Sequence, residues 1–392
     1  VKKLLNLVLL QAIRDKASDI HFEPFEDEFK MRYRIDGILY EMVPPPRHIA
    51  LAVASRIKVM ANLDIAERRL PQDGRVELNI SGAPVELRIS ILPTMFGESV
   101  VMRVLDRSNL ALDLEKLGMR DDDLHVFRQL TRRPNGIIVV TGPTGSGKTT
   151  TLYSALTKIN SPDKNIMTVE DPVEYELAGI NQVSARPTIG LDFAAALRSF
   201  LRQDPDVILV GEIRDLETAS IAIKAAQTGH LVFSTLHTNN ATSSIDRLLN
   251  MGVEPYLICT SLNLVIAQRL VRMVCKECKE PYEPDPVLLA RFRRILPDAG
   301  DVTFYHGAGC EECSGSGFRG RMAVYELFPI TREIKNLVLL GDLGSKIRDQ
   351  AIADGMQSLL ISGMDKVKEG LTTLDEVLSV AMESDKTSNQ PD

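Results

Sequence analysis

The chain has 392 residues, 44% hydrophobic and 25% charged, with 46 basic against 53 acidic side chains and a formal charge of −7. That length exceeds one ordinary core, so two or three domains are expected, with the balance of a soluble globular protein. The acidic balance argues against a duplex-binding face driven by counterion release, and no apolar run approaches the roughly 18 residues of a membrane span.

Val1-Lys2-Lys3-Leu4-Leu5 opens like a signal peptide, but the apolar run ends at Gln11. Arg14, Asp15 and Lys16 then follow at helical spacing, which fits an amphipathic helix. A chain that begins with Val is expected to be a piece lacking an upstream domain. Five cysteines point to a reducing compartment and metal use, not disulfides.

Residues 1–107 read as an α+β unit. Leu4, Leu5, Val8, Leu9, Ala12 and Ile13 line one helical face. An alternating run from Phe29 to Ile35 is followed by Asp36-Gly37, a hairpin signal because both central positions need positive φ. Pro44-Pro45-Pro46 stops that sheet, and helical spacing returns from Ile49 to Leu63. Val76–Ile80 and Val85–Leu92 form a second hairpin turning at Ser81-Gly82, and Ser99 to Leu105 is a further strand. Residues 108–118 read as a linker.

From Asp121 strands alternate with helices. Ile137–Val140, Ile166–Val169, Val207–Val210 and Leu231–Ser234 are continuous apolar strands, with helices after Gly147, from Phe193 to Leu201 and from Glu217 to Gln227. Such alternation implies a parallel sheet covered on both faces. After about residue 270 come the cysteines, then a helix-rich stretch and a polar, disordered tail from Ser384.

Gly142-Pro143-Thr144-Gly145-Ser146-Gly147-Lys148-Thr149 is a phosphate-binding loop, set between an apolar strand and a helix as its mechanism demands. Its glycines let backbone N–H groups turn toward a β-phosphate, and the helix N-terminus favours the anion. Lys148 is expected to reach the β- and γ-phosphates, Thr149 to ligate Mg²⁺, and Thr150 to complete the nucleotide contacts. Val207–Glu212 has the form of a Walker B strand, with Gly211 where an aspartate is common. Glu212 and Glu170, each at the carboxyl end of a strand, are candidates to orient water; sequence leaves open which is the base. His230 and His237 bracket the strand Leu231–Leu236, where a neutral imidazole could sense the γ-phosphate or polarise water, or simply be satisfied by backbone. Arg198 and Arg202 fall i, i+4 on one helix, and Arg88 and Arg103 on two strands of the first domain. Guanidinium forks match phosphate, although such residues are more often solvated.

Cys275-Lys276-Glu277-Cys278 and Cys310-Glu311-Glu312-Cys313 supply four thiolates for a closed, structural Zn²⁺ site. Residues 279–309 separate the pairs by 31 positions, longer than the roughly 15–20 of the common pattern. Gly315 and Gly317 are expected to let the backbone donate N–H groups to sulfur. Redox use and buried thiols are the alternatives. Cys259, alone in an expected helix, reads as core.

Together these residues resemble the secretion ATPase superfamily, the motors of type II secretion and of type IV pili. Four boxes carry the likeness: Gly142 to Thr149, Thr168 to Glu174, Gly211-Glu212-Ile213-Arg214-Asp215, and Gly229 to His237. Arg69 to Arg75 adds to it, and Gly211 is itself a feature of that family. The resemblance implies an α/β fold: a PAS-like N-terminal domain (1–107), a linker (108–118) and a RecA-like P-loop ATPase core (119–270). A tetracysteine zinc module (271–325) and a helical C-terminal region (326–392) would follow. It further implies a homohexamer hydrolysing ATP with Mg²⁺, cytoplasmic and peripheral to the inner membrane through a platform protein. Arg88, Arg103, Arg198 and Arg202 match positions that approach the nucleotide in the family. The four cysteines occur in the pilus-extension and type II secretion branches and are absent from retraction motors; likeness favours pilus extension over secretion. One rival is a nucleic-acid motor on a RecA-like core. With 5% aromatics and no Trp, bases have few stacking platforms, so no nucleic-acid partner is expected. The other is a nucleotide-gated scaffold without turnover.

Overall fold

The fold is given by a computed structural model describing residues 1–80, 83–106, 112–297, 299–342 and 344–381. The expected Ser81-Gly82 turn, residues 108–111 of the expected linker and the polar tail lie outside them. Chain contacts divide the protein into two units, Val1–Ala111 and Leu112–Asp392.

In the first unit, α1 (Lys2–Arg14) precedes β1 (Asp19–Pro24), β2 (Phe29–Ile35) and β3 (Ile38–Glu41). Then follow α2 (Ala50–Met60), β4 (Gln72–Ile80), β5 (Ala83–Thr94) and β6 (Gly97–Asp106). The six strands form one antiparallel sheet in the order β3-β2-β1-β6-β5-β4. Alternation explains its two faces: Ile20 and Phe22 of β1 and Leu87, Ile89 and Ile91 of β5 are buried, whereas their strand neighbours are more exposed. Leu5, Val8 and Leu9 of α1 and Val53 and Ile57 of α2 complete that core. The β2–β3 turn has φ of 50° at Asp36 and 91° at Gly37, the left-handed pair that Asp-Gly tolerates. Lys58 is fully buried, its ammonium 2.5 Å from Glu98 and donating to the Glu67 carbonyl at 2.6 Å, so its charge is both paired and hydrogen-bonded.

The second unit begins with α3 (Asp121–Leu130), β7 (Gly136–Thr141), α4 (Lys148–Ile159), β8 (Ile166–Glu170) and β9 (Asn181–Ser184). Then come α5 (Phe193–Phe200), β10 (Val207–Val210), α6 (Leu216–Gln227), β11 (Leu231–Leu236), α7 (Ser243–Asn250) and α8 (Pro255–Ser261). They are followed by β12 (Leu262–Val274), β13 (Lys279–Tyr282), α9 (Pro286–Ile295), β14 (Phe304–Gly307) and β15 (Phe318–Pro329). Helices α10 (Arg332–Leu340), α11 (Ser345–Ala353), α12 (Leu359–Lys368) and α13 (Leu374–Ala381) end the described chain. Seven strands form a sheet in the order β15-β12-β7-β11-β10-β8-β9, parallel except where β15 meets β12. Every residue of β7, β8, β10 and β11 is buried, which is why those strands read as predominantly apolar runs without alternation. One core fills the face under α5–α8, and a second fills the face under α3 and α4.

Several features depart from the sequence reading. Strand β12 was not foreseen, because α8 passes into it directly at Leu262 with no loop residue to mark the change. The expected borders at 270/271 and 325/326 fall inside β12 and β15, so the cysteines lie on an excursion between two paired strands of the main sheet. Helix α5 stops at Phe200, which leaves Arg202 just beyond the helix that Arg198 occupies.

Candidate functional site

The phosphate-binding loop joins the carboxyl end of β7 to α4. Gly142, Gly145 and Gly147 have φ of 145°, 80° and 86°, a run of conformations that side chains resist. Close approach adds a second reason: a Cβ on Gly142 would stand 2.5 Å from the Gln268 carbonyl, and one on Gly147 2.7 Å from the Gln268 amide nitrogen. Pro143, Thr144 and Gly145 are exposed while Ser146 is buried, and the Ser146 hydroxyl has no hydrogen-bond partner among the described residues. A buried hydroxyl left open at the start of a helix suits an anion acceptor.

Lys148 donates to the carbonyls of Gly142 at 2.8 Å and Pro143 at 3.0 Å, so its ammonium folds back over the loop. Burial, with the Arg269 charge beside it, pushes this ammonium down to about 8, while Glu212 acts in the opposite sense. Thr149 is half-buried on the first turn of α4 and Thr150 is exposed.

Glu212 follows β10 after a single residue, Gly211. Its carboxylate is 13% exposed, 2.5 Å from the Arg214 guanidinium and 3.4 Å from His237 Nε2. Glu170 ends β8 in a different setting. It is 5% exposed and accepts from the Tyr153 hydroxyl at 2.5 Å, the Thr168 hydroxyl at 2.6 Å and the Gln182 amide at 3.3 Å. Burial raises its pKa against those three hydrogen bonds. Glu212 is thus the more exposed of the two carboxylates, and Glu170 is enclosed.

Gly211 separates the two. A Cβ there would lie 3.2 Å from the Val169 carbonyl, 3.3 Å from the Glu170 Cα and 3.3 Å from the Phe193 ring. An aspartate at this position would require β8 and Phe193 to give by a few tenths of an ångström. Gly211→Asp is expected to lower stability by about 1–3 kcal/mol in denaturant unfolding; unchanged stability would mean that β8 and α5 yield freely.

His237 follows β11 and reaches Glu212, whereas His230 precedes the same strand. Leu231 pairs with Gly136 and Leu236 with Thr141, so His230 stands at the end of the sheet away from the loop. Its Nδ1 is 2.8 Å from the Ala225 carbonyl at the close of α6. The structure does not bring it to the phosphate loop.

Arg198 is 2.5 Å from Glu217 on the first turn of α6, and Arg202 donates back to the Arg198 carbonyl at 3.1 Å. Arg88 and Arg103 are cross-strand partners in the first unit, where Arg103 also donates to Asp19 at 3.0 Å.

Residues absent from the sequence reading complete the site. Tyr153 sits on α4 and holds Glu170, while Gln268 and Arg269 of β12 back the loop. The last pair left a trace: two adjacent polar residues interrupt the apolar run Leu264–Val271.

The cysteines converge. Sulfur–sulfur distances are 3.8 Å for Cys275–Cys310, 3.8 Å for Cys278–Cys313 and 3.7 Å for Cys310–Cys313, with all four within 4.8 Å of one another. A tetrahedron with metal–sulfur bonds of about 2.3 Å has edges of about 3.8 Å, so the set fits a Cys₄ metal site. Backbone N–H groups of Gly309, Cys310 and Gly317 donate to Cys278 and Cys313 sulfurs at 3.2–3.3 Å. The Gly315 amide goes to the Cys310 carbonyl instead.

Comparison with known proteins is consistent with this geometry. The chain is 54% identical over 380 residues to the "Type IV pilus assembly ATPase PilB" of Myxococcus xanthus, covering 96% of this chain and 67% of that relative. It is 50% identical over 381 residues to the "Type II secretion system protein E" of Dickeya dadantii, covering 97% and 76%. Among solved structures, the pilus retraction motor PilT with bound ADP aligns at TM-score 0.62 and 27% identity over 96% of both chains. The Yersinia pseudotuberculosis ATPase DotB shares the fold at TM-score 0.72 and 21% identity, covering 97% and 94%. The family model described as "Type II/IV secretion system protein" matches residues 1–379, and the chain belongs to that family.

Proposed function

We propose that this chain is an ATP-hydrolysing motor that powers type IV pilus assembly as a ring of six subunits at the cytoplasmic face of the inner membrane. The observation that carries the chemistry is the loop of glycines at the end of β7 with Lys148 folded over it, and Glu212 stands close enough for its charge to act on that ammonium. The likeness to a pilus assembly ATPase supports the choice of machine. Likeness to type II secretion proteins at 50% identity supports a second reading, export through pseudopilus assembly.

Residues 142–150 cradle the nucleotide, and Lys148 neutralises its outer phosphates. Thr149 would hold a Mg²⁺ that screens the developing charge on the phosphates. Glu212, steadied by His237, orients water, whereas Glu170 keeps β8 and α4 in register through Tyr153. Arg88, Arg103, Arg198 and Arg202 are offered as cations for the polyphosphate in the assembled ring. Cys275, Cys278, Cys310 and Cys313 would hold a Zn²⁺ whose coordination shell is closed. The domain reading proposed with it is a PAS-like unit, a RecA-like core, a zinc-binding excursion between β12 and β15, and a helical end. Attachment through a membrane platform protein is proposed on the likeness to pilus and secretion ATPases; among the described residues no helix is long and apolar enough to cross a membrane.

The test joins biochemistry to the cell. Phosphate release from Mg-ATP is expected from the purified chain and absent in Lys148→Ala. A K148A allele of the full-length gene should remove surface pili while leaving protein export intact. Loss of export with pili retained would select the secretion reading, and release that persists in K148A would overturn both.

A further inference from the structure

Arg269 is 6% exposed in the middle of β12, between fully buried Ala267 and Val271. A guanidinium stays charged at any working pH, and its desolvation is unfavourable, so its place in a strand core calls for a reason. Its contacts supply one. One terminal nitrogen donates to the Asn239 carbonyl at 2.7 Å and the other to the Gln268 carbonyl at 3.1 Å. That second nitrogen is also 3.1 Å from where a Cβ on Gly142 would stand, so the fork lies against the first glycine of the phosphate loop.

The neighbouring side chain performs the matching task at the other end. Gln268, 2% exposed, accepts from the Thr151 hydroxyl at 2.8 Å on α4, and its amide nitrogen abuts Gly147. Two consecutive residues of one strand therefore back the loop at its entry and its exit. Asn239 belongs to the segment after His237, and that segment is tied further where the Thr238 N–H donates to the Thr141 hydroxyl at 2.8 Å and where Glu326 of β15 accepts from the Ala241 N–H at 2.7 Å. His237 in turn reaches Glu212.

We propose that Arg269 is a positioning residue for hydrolysis: it locks the start of the phosphate loop to the 238–241 segment, so that His237 and Glu212 are held in place relative to the nucleotide. This rests on the ATPase reading above. Arg269 acts through Gly142 and the Asn239 carbonyl, so its loss should separate turnover from binding. A point charge such as lysine can reach one carbonyl but lacks the planar fork that serves both.

The experiment compares Arg269→Met and Arg269→Lys with the parent chain. It reads phosphate release, affinity for a fluorescent non-hydrolysable ATP analogue, melting temperature, and hydrogen exchange of residues 238–242. In Arg269→Met, kcat is expected to fall by about 30-fold or more while analogue affinity stays within about threefold, with faster exchange confined to 238–242. In Arg269→Lys the loss should be intermediate, about 5–10-fold, at unchanged affinity and melting temperature. The lysine variant keeps the test open if the methionine variant fails to fold. Turnover within twofold of the parent in Arg269→Lys overturns the proposal, as does a parallel loss of affinity and kcat. A parent chain that hydrolyses no ATP sinks the ATPase reading alone; exchange at 238–242 still decides the lock.

Discussion

Replacing Glu212 by Gln is expected to lower phosphate release by about 10²–10³ while nucleotide affinity changes by less than about threefold. The substitution keeps shape and removes charge and basicity, so the neighbouring loop should stay in place. What singles out Glu212 is its setting at the carboxyl end of β10, with Arg214 on one oxygen and His237 near the other. Ligands of open α/β sheets collect at that edge. Glu170 is the competing candidate, and its geometry speaks against it. Three donors from Tyr153, Thr168 and Gln182 already occupy a carboxylate that is nearly out of solvent. Removing its charge should be read mainly as lost stability. Full turnover in Glu212→Gln, with collapse in Glu170→Gln, would reverse the two roles.

Removing the metal is expected to have the second large effect. The folded chain should carry one zinc, released by Cys278→Ser and by denaturation in the presence of a chromogenic chelator. Structural zinc contributes on the order of 10 kcal/mol in small domains, so its loss should lower the melting temperature of the second unit markedly. The consequence reaches past the excursion because Cys275 closes β12, and its amide bonds to the Gly317 carbonyl beside β15. Arg272, three residues before it, is clamped to Glu376 of α13 at 2.7 Å, so the last helix rests on the same strand end. Sulfur separations of 3.7–3.8 Å are far beyond the roughly 2.05 Å of a disulfide. A purified chain without stoichiometric zinc, equally stable with and without chelator, would sink the metal assignment.

The sequence by itself determined whatever depends on neighbours along the chain. The phosphate loop is eight contiguous residues whose glycines answer a local need, and the paired C-x-x-C spacing is legible for the same reason. The continuous apolar runs of β7, β8, β10 and β11 declare burial on both faces without any contact being known. Asp36-Gly37 declares its turn through backbone sterics alone.

Only the tertiary structure decided what distant segments do together. It put Glu212 beside His237 and enclosed Glu170 with Tyr153, a helix residue with no motif around it. It sent His230 to the far end of its strand, because a buried strand about 20 Å long separates residues that sequence shows as near neighbours. It also placed Gln268 and Arg269 behind the loop, more than a hundred residues from the glycines they touch. Those relations follow from strand order and register, which are set by long-range packing and loop-closure entropy, so a local pattern can flag a residue, as the polar pair Gln268-Arg269 does, without naming its partner.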